Sequence, residues 1–347
     1  MQGYHSPQVA ARVRLNTNES PIEPPAEFVA ALADAVTDVQ WNRYPDRSAH
    51  ELRAAIGALH GVGPDNVFVA NGSNEVLQAV LLAYSGAGRV VATFEPTYQL
   101  HSHIARVAGA TVVHGRRNDD FTLDVAEVRR VCDESSPSVT FLCSPNNPTA
   151  MAETPDVVST AIERTSGVVI VDEAYAQFSP HSAMALVNDS GRLAVSRTFS
   201  KTWSMAALRL GYLIAPKWMV ADLEVVTLPY HLDALKQRAG LLALDHVARM
   251  ESGVRMVVAE RERLMVAMQH LALTVWPSQA NFILFRPHGL RGSAVWQGLL
   301  DSGVLVRNCS SWEGLADCLR VTVGTAEEND AFLGALRGVV AARDWTP

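Results

Sequence analysis

The chain has 347 residues, 48% hydrophobic and 19% charged, with a formal net charge of −7. That length exceeds what one compact core usually supports, so two domains are expected. No stretch concentrates Lys and Arg, which argues against nucleic acid or an anionic membrane surface as a general partner, while small anions need only a few placed arginines.

Residues 1–15 mix His, Pro, Gln and Arg around no apolar segment and do not read as a signal peptide. No stretch approaches the roughly 20 apolar residues of a membrane span. The four cysteines, Cys132, Cys143, Cys309 and Cys318, show no CxxC spacing; buried reduced thiols are expected rather than disulfides or a metal site. These features predict a cytoplasmic protein.

The Pro-rich residues 20–25 read as a connector. Residues 67–70 form the first expected strand, running through Asn71, Gly72, Ser73 and Asn74 into a helix over 75–84. Gly and Ser at a strand-to-helix turn expose backbone N–H groups at a positive helix end and suit a phosphate, although a plain capping box uses the same residues. Strands are expected at 89–94 and 111–114, then a helix over 125–132.

Residues 138–143 lead into Ser144-Pro145-Asn146-Asn147-Pro148-Thr149, where two prolines fix the backbone and two amides stand beside the sheet. One Asn there could donate to a phenolate; a tight turn is the plainer use. The apolar run 167–171 ends in Asp172-Glu173-Ala174-Tyr175. An acid at that place is costly unless a cation faces it, and a pyridinium nitrogen is such a cation; a helix cap or a surface salt bridge would also account for it. Residues 193–197 lead into Thr198-Phe199-Ser200-Lys201-Thr202-Trp203, with Arg209 following. A lysine among small and aromatic residues loses hydration, which lowers its pKa and frees a nucleophilic amine. Ser200 and Arg209 could together hold a phosphate. A last strand of this series is expected at 211–215.

A charged, Ala- and Met-rich region over 232–271 breaks the rhythm, and residues 281–285 and 319–323 read as strands of a second, smaller unit. Short Val-rich strands alternating with amphipathic helices predict an α/β fold, a mostly parallel sheet covered by helices on both faces. Ligands bind beyond the carboxyl ends of such strands. The four motifs are expected after consecutive strands. Together they offer an amine, a phosphate cradle, a ring-nitrogen acid and a phenolate donor, which is the set pyridoxal phosphate requires.

The chain resembles the fold-type I pyridoxal-phosphate aminotransferases, specifically the histidinol-phosphate aminotransferase family. The likeness runs from LNTNESP at residue 15 through YPD, PTY, SPNNPT, DEAY, RTFSK and LRLGY to CLRVTVGT ending at residue 325. The segment from RTFSK to LRLGY is the most specific part. The resemblance implies a large cofactor-binding domain over 35–240. It also implies a smaller α+β domain made of 1–34 and 241–347.

It further implies that Lys201 forms a Schiff base with the cofactor and carries a proton between substrate and cofactor. Asp172 would pair with the ring nitrogen, Asn147 and Tyr175 with the ring hydroxyl, and Tyr98 would stack on the ring. Ser73, Asn74, Ser200 and Arg209 would bind the phosphate. Tyr44 would reach that phosphate from a neighbouring subunit, which implies a homodimer with shared sites. Arg307, Arg320, Tyr230 and Asn18 match substrate-contacting positions. The two arginines would grip the phosphate of histidinol phosphate and then the carboxylates of glutamate; a surface salt bridge is the plainer use of Arg307. The chain departs from the family at Ala150, Ser204 and Ala207, where glycines are usual.

The expected reaction is a ping-pong transamination in which glutamate gives its amino group to imidazole-acetol phosphate. An aminotransferase for aromatic amino acids shares nearly all these motifs. A decarboxylase of a phosphorylated amino acid and a non-catalytic cofactor-binding sensor are the further alternatives.

Overall fold

The structure, a computed structural model, describes residues 9–341. The reading of residues 1–15 therefore lies outside the described residues for 1–8. Strands β1 (Val13–Leu15) to β12 (Leu319–Thr322) fall into two sheets. The larger contains β2 (Val67–Ala70), β3 (Val90–Glu95), β4 (Thr111–Arg116), β5 (Val139–Cys143), β6 (Val168–Asp172), β7 (Leu193–Thr198) and β8 (Gly211–Ile214). Its order is β2-β8-β7-β6-β5-β3-β4, with β8 antiparallel to both neighbours and every other pairing parallel.

The central strands are largely apolar and buried because helices cover both faces of the sheet. Val168, Ile170 and Ala194 pack on one side with Leu77, Ala105 and Met219, from helices Ser73–Tyr84, Leu100–Val107 and Lys217–Val226. Val169, Val171 and Val195 pack on the other with Val128, Val131, Val157 and Ala161, from helices Val125–Ser135 and Pro155–Arg164. The period-2 alternation of the strand sends successive residues to these two cores.

The smaller sheet has the order β1-β11-β12-β10-β9, with β9 (Leu273–Val275), β10 (Phe282–Pro287) and β11 (Val304–Asn308). Strand β1 pairs parallel with β11; the remaining pairs are antiparallel. Helices Val247–Gln269, Gly292–Asp301 and Ala326–Ala341 close its core through Leu264, Val295 and Phe332.

One expectation needs correction. The four site motifs do not follow consecutive strands: β3 and β4 intervene along the chain, and β8 separates β2 from β7 in space. The chemistry survives because two antiparallel pairings make β2 parallel to β7, so its carboxyl end reaches the same sheet edge. The region 232–271 is two helices, Ala234–Leu244 and Val247–Gln269, separated at residues 245–246. Strands β1, β9 and β11 were not expected. Two of them have only three residues, too few to show a period, and β1 is specified by pairing far along the chain.

Candidate active site

Cys143 and Asp172 end β5 and β6 and lie side by side in register, with Ser196, two residues before the end of β7, beside Asp172. Asp172 is 2% exposed. Its Oδ1 accepts from Ser196 Oγ at 3.0 Å and its Oδ2 meets His101 Nε2 at 3.0 Å. His101 stacks on Phe141 with ring centroids 4.6 Å apart and meets Tyr98 edge-on at 5.4 Å. The carboxylate is thus aimed before any ligand arrives. Burial raises the Cys143 thiol well above its ordinary value, with the Asp172 charge adding to the effect, so the sulfur stays protonated beside it.

Lys201 leaves the end of β7. Its Nζ donates to the Thr17 carbonyl at 3.1 Å and lies 5.7 Å from the Tyr175 ring centroid. Its pKa is lowered to about 7, first by burial and then by the Arg320 charge; Arg209 adds to this and Glu19 opposes it. Tyr175 Oη accepts from Asn18 Nδ2 at 3.0 Å. Asn18 is held by Thr322 through its own N–H at 2.9 Å and has a left-handed φ of 55°.

At the other end of the cleft, helix Ser73–Tyr84 begins after Gly72 with no side-chain cap. Its first N–H groups stand beside Arg209, whose guanidinium donates to Ser200 Oγ at 3.1 Å. A Cβ on Gly72 (φ 85°) would lie 2.7 Å from Arg209 Nη2. One on Gly211 would lie 2.2 Å from the Ser73 nitrogen. Both positions therefore need glycine for the helix end, the arginine and β8 to meet. Tyr98 Oη donates to Asn74 Oδ1 at 3.2 Å.

The third wall comes from the smaller sheet. Arg307 on β11 and Arg320 on β12 are directly opposed in register, 7% and 3% exposed. Arg320 donates to Asn147 Oδ1 and, at 3.0 Å, to the Asn16 carbonyl. Its Cζ lies 5.1 Å from the Phe282 ring centroid, while its Nε is buried without a hydrogen-bond partner. Because Asn147 accepts with Oδ1, its amide N–H groups remain as the donors. Like charges placed directly opposite repel, so this pair favours an anion between the sheets.

These walls enclose a cavity of about 210 Å³ lined by Asn18, Ser73, Asn74, Tyr98, Asn147, Asp172, Tyr175, Ser200, Lys201, Arg209, Arg307 and Arg320. Twelve of the fourteen residues expected from the sequence meet here. The other two, Tyr44 and Tyr230, lie outside it within one chain, where their rings stack at 4.5 Å. Of the departures, Ala150 (φ 67°) and Ser204 (φ 57°) occupy left-handed backbone that glycine adopts without strain, whereas Ala207 sits in an ordinary turn at 206–208. Sequence reasoning missed His101, Ser196 and the Thr17 carbonyl. His101 reaches Tyr98 through the turn that opens helix Leu100–Val107, which the sequence reading did not anticipate.

The arrangement fits pyridoxal phosphate. An uncapped helix end with Ser200 and Arg209 matches a phosphate, and a fixed carboxylate at the opposite wall matches a ring cation. A desolvated amine lies between them.

The family model for aminotransferase class I and II matches residues 11–336. The histidinol-phosphate aminotransferase of Frankia casuarinae is 44% identical, the alignment covering 96% of this chain and 86% of that protein. That of Streptomyces avermitilis is 43% identical over 96% and 93% of the two chains. The crystal structure of the Sinorhizobium meliloti histidinol-phosphate aminotransferase in complex with pyridoxal-5'-phosphate superposes with a TM-score of 0.87, covering 96% of this chain and 92% of that one; at 22% identity it supports the fold.

Proposed function

This chain belongs to the class I and II aminotransferases, which are pyridoxal-phosphate transaminases, and from that premise we propose that it acts on L-histidinol phosphate. The amino group passes between L-histidinol phosphate and 2-oxoglutarate, giving imidazole-acetol phosphate and glutamate. The observation that carries this reading is the buried pair Arg307 and Arg320 on the cleft wall, two opposed cations where one would serve a single carboxylate. The named relatives at 43–44% identity agree with it.

Ser73, Asn74, Ser200 and Arg209 would hold the cofactor phosphate, joined by the partner subunit's Tyr44. Asp172 would hold the proton at the ring nitrogen. Asn147 and Tyr175 would donate to the ring hydroxyl, and Tyr98 would cover the ring face. When bound, the cofactor supplies an electron sink for charge developing at the substrate Cα. Lys201, with its lowered pKa, takes the proton from that carbon and returns it. Arg307 and Arg320 bind the substrate anion, with Asn18 on the same cavity wall, while Tyr230, stacked on Tyr44 outside the cavity, would take part only where the two subunits meet.

We read the cleft as lying between a unit at 35–240 and a second unit formed, among the described residues, by 9–34 with 241–341. Tyr44 (80% exposed), Leu228 (80%) and Trp41 (69%) are large apolar side chains left bare on one chain, which supports a homodimer that covers them. Among the described residues no helix is long and apolar enough to cross a membrane.

The test is turnover: L-histidinol phosphate with 2-oxoglutarate should yield glutamate with a higher kcat/KM than L-phenylalanine does. Arg307→Ala should cut that kcat/KM about ten- to a hundredfold, since a charge-assisted fork contributes about 1.5–3 kcal/mol. Glutamate formed from phenylalanine alone would reassign the protein to aromatic substrates.

A further inference from the structure

The opposed arginines pose a packing problem. Arg307 and Arg320 stand opposite each other in register on adjacent strands and both are buried, so two like charges must be accommodated without neutralising the charge the ligand needs. A carboxylate partner would neutralise it; an aromatic face stabilises a buried cation and leaves its charge for an incoming anion. The structure places such a face at each arginine. The Cζ of Arg320 lies over the Phe282 ring at 5.1 Å, and that of Arg307 lies over the Trp312 ring at 5.8 Å.

Trp312 is held firmly. It is 6% exposed and packs with Phe121, Trp276, Leu284 and Leu315. The loop carrying it is tied by backbone bonds. Cys309 N–H donates to Cys318 O at 3.0 Å, Trp312 N–H to Cys309 O at 2.9 Å and Leu315 N–H to Trp312 O at 3.1 Å. The ring is therefore set before substrate arrives, and Arg307 loses less rotamer freedom on binding than a solvated arginine would.

We propose that Trp312 is a positioning residue for substrate recognition, holding the Arg307 guanidinium toward the cleft by cation–π attraction. The inference rests on the phosphate role proposed above for Arg307.

The test is a double-mutant cycle on the holoenzyme with L-histidinol phosphate at saturating 2-oxoglutarate, in wild type, Trp312→Leu, Arg307→Ala and the double variant. Trp312→Leu should raise KM about five- to tenfold with kcat within about twofold. In the Arg307→Ala background the same change should add less than about twofold, because the interaction is already gone. Trp312→Phe should restore most of the loss. An unchanged KM in Trp312→Leu, or the same factor in both backgrounds, overturns the proposal and leaves Trp312 as core packing. If Arg307→Ala itself leaves KM unchanged, the phosphate role of Arg307 fails and this inference falls with it. Should Trp312→Leu give no soluble holoenzyme, Trp312→Phe carries the same cycle. A rise of about two- to threefold, lost in the Arg307→Ala background, then supports the proposal, and no rise overturns it.

Discussion

Lys201 sits in a cage that discourages its own charge. Burial and the Arg320 guanidinium bring its pKa from 10.5 to about 7, so near neutrality a large fraction of the amine is free to attack. The sign has a consequence for the cofactor-free protein. Between pH 7 and pH 10.5 the unfolded chain holds a proton on this lysine that the folded chain has largely released. Stability therefore rises with pH across that window, and the burial penalty is fully present below it. Urea midpoints of the cofactor-free protein should show this rise, and Lys201→Met should flatten it; parallel profiles for the two proteins would contradict the lowered pKa. Lysine, carboxylate and phosphate groups were legible in the sequence because each follows an apolar strand directly. Ser196 was not, since it lies inside a strand and looks like one more buried residue. Thr17 acts through its carbonyl, which no side-chain pattern reveals. Ser204 shows why a departure from an expected glycine need not break a site: its hydroxyl lies 3.0 Å from Ser20 Oγ, tying the lysine loop to the segment that crosses the cleft.

Among the elements, the irregular loop after β5 is pinned by hydrogen bonds of Asn146 and Glu153. It presents Asn147 toward Arg320, and its far end is fixed by Glu153 paired with Arg117 at 2.5 Å, their side chains 3% and 1% exposed. Arg117 also donates to the Phe94 and Phe121 carbonyls. Burying this pair is no gain in itself, yet breaking it strands a charge. Glu153→Gln should cost about 3–5 kcal/mol in urea unfolding, whereas Arg117→Met combined with Glu153→Leu should recover most of that loss. A cost below about 1 kcal/mol for the single change would mean that water reaches Arg117. The strands of the larger sheet were readable because burial on both faces makes them apolar runs. The break inside 232–271 was not, because charged and apolar residues continue through it without Gly or Pro to mark the turn.

At the scale of the whole molecule, the site exists only because two sheets meet. The larger supplies the lysine, the carboxylate and the phosphate cradle; the smaller supplies the arginine pair. Residues 16–20 bridge them, with Asn16 against Arg320, Thr17 against Lys201 and Asn18 against Tyr175 and Thr322. Local sequence pattern predicts each half but not this closure, which depends on β1 pairing with β11 nearly 300 residues away. The visible absorption of the purified holoenzyme reports both the Lys201 linkage and the preferred amine donor. L-histidinol phosphate would be titrated in without a keto acid, followed by L-phenylalanine on a fresh sample. The expected result is a visible band that Lys201→Ala lacks and that L-histidinol phosphate bleaches at far lower concentration than L-phenylalanine does. A holoenzyme bleached more readily by phenylalanine would contradict the substrate assignment, and a protein with no such band would contradict the role given to Lys201.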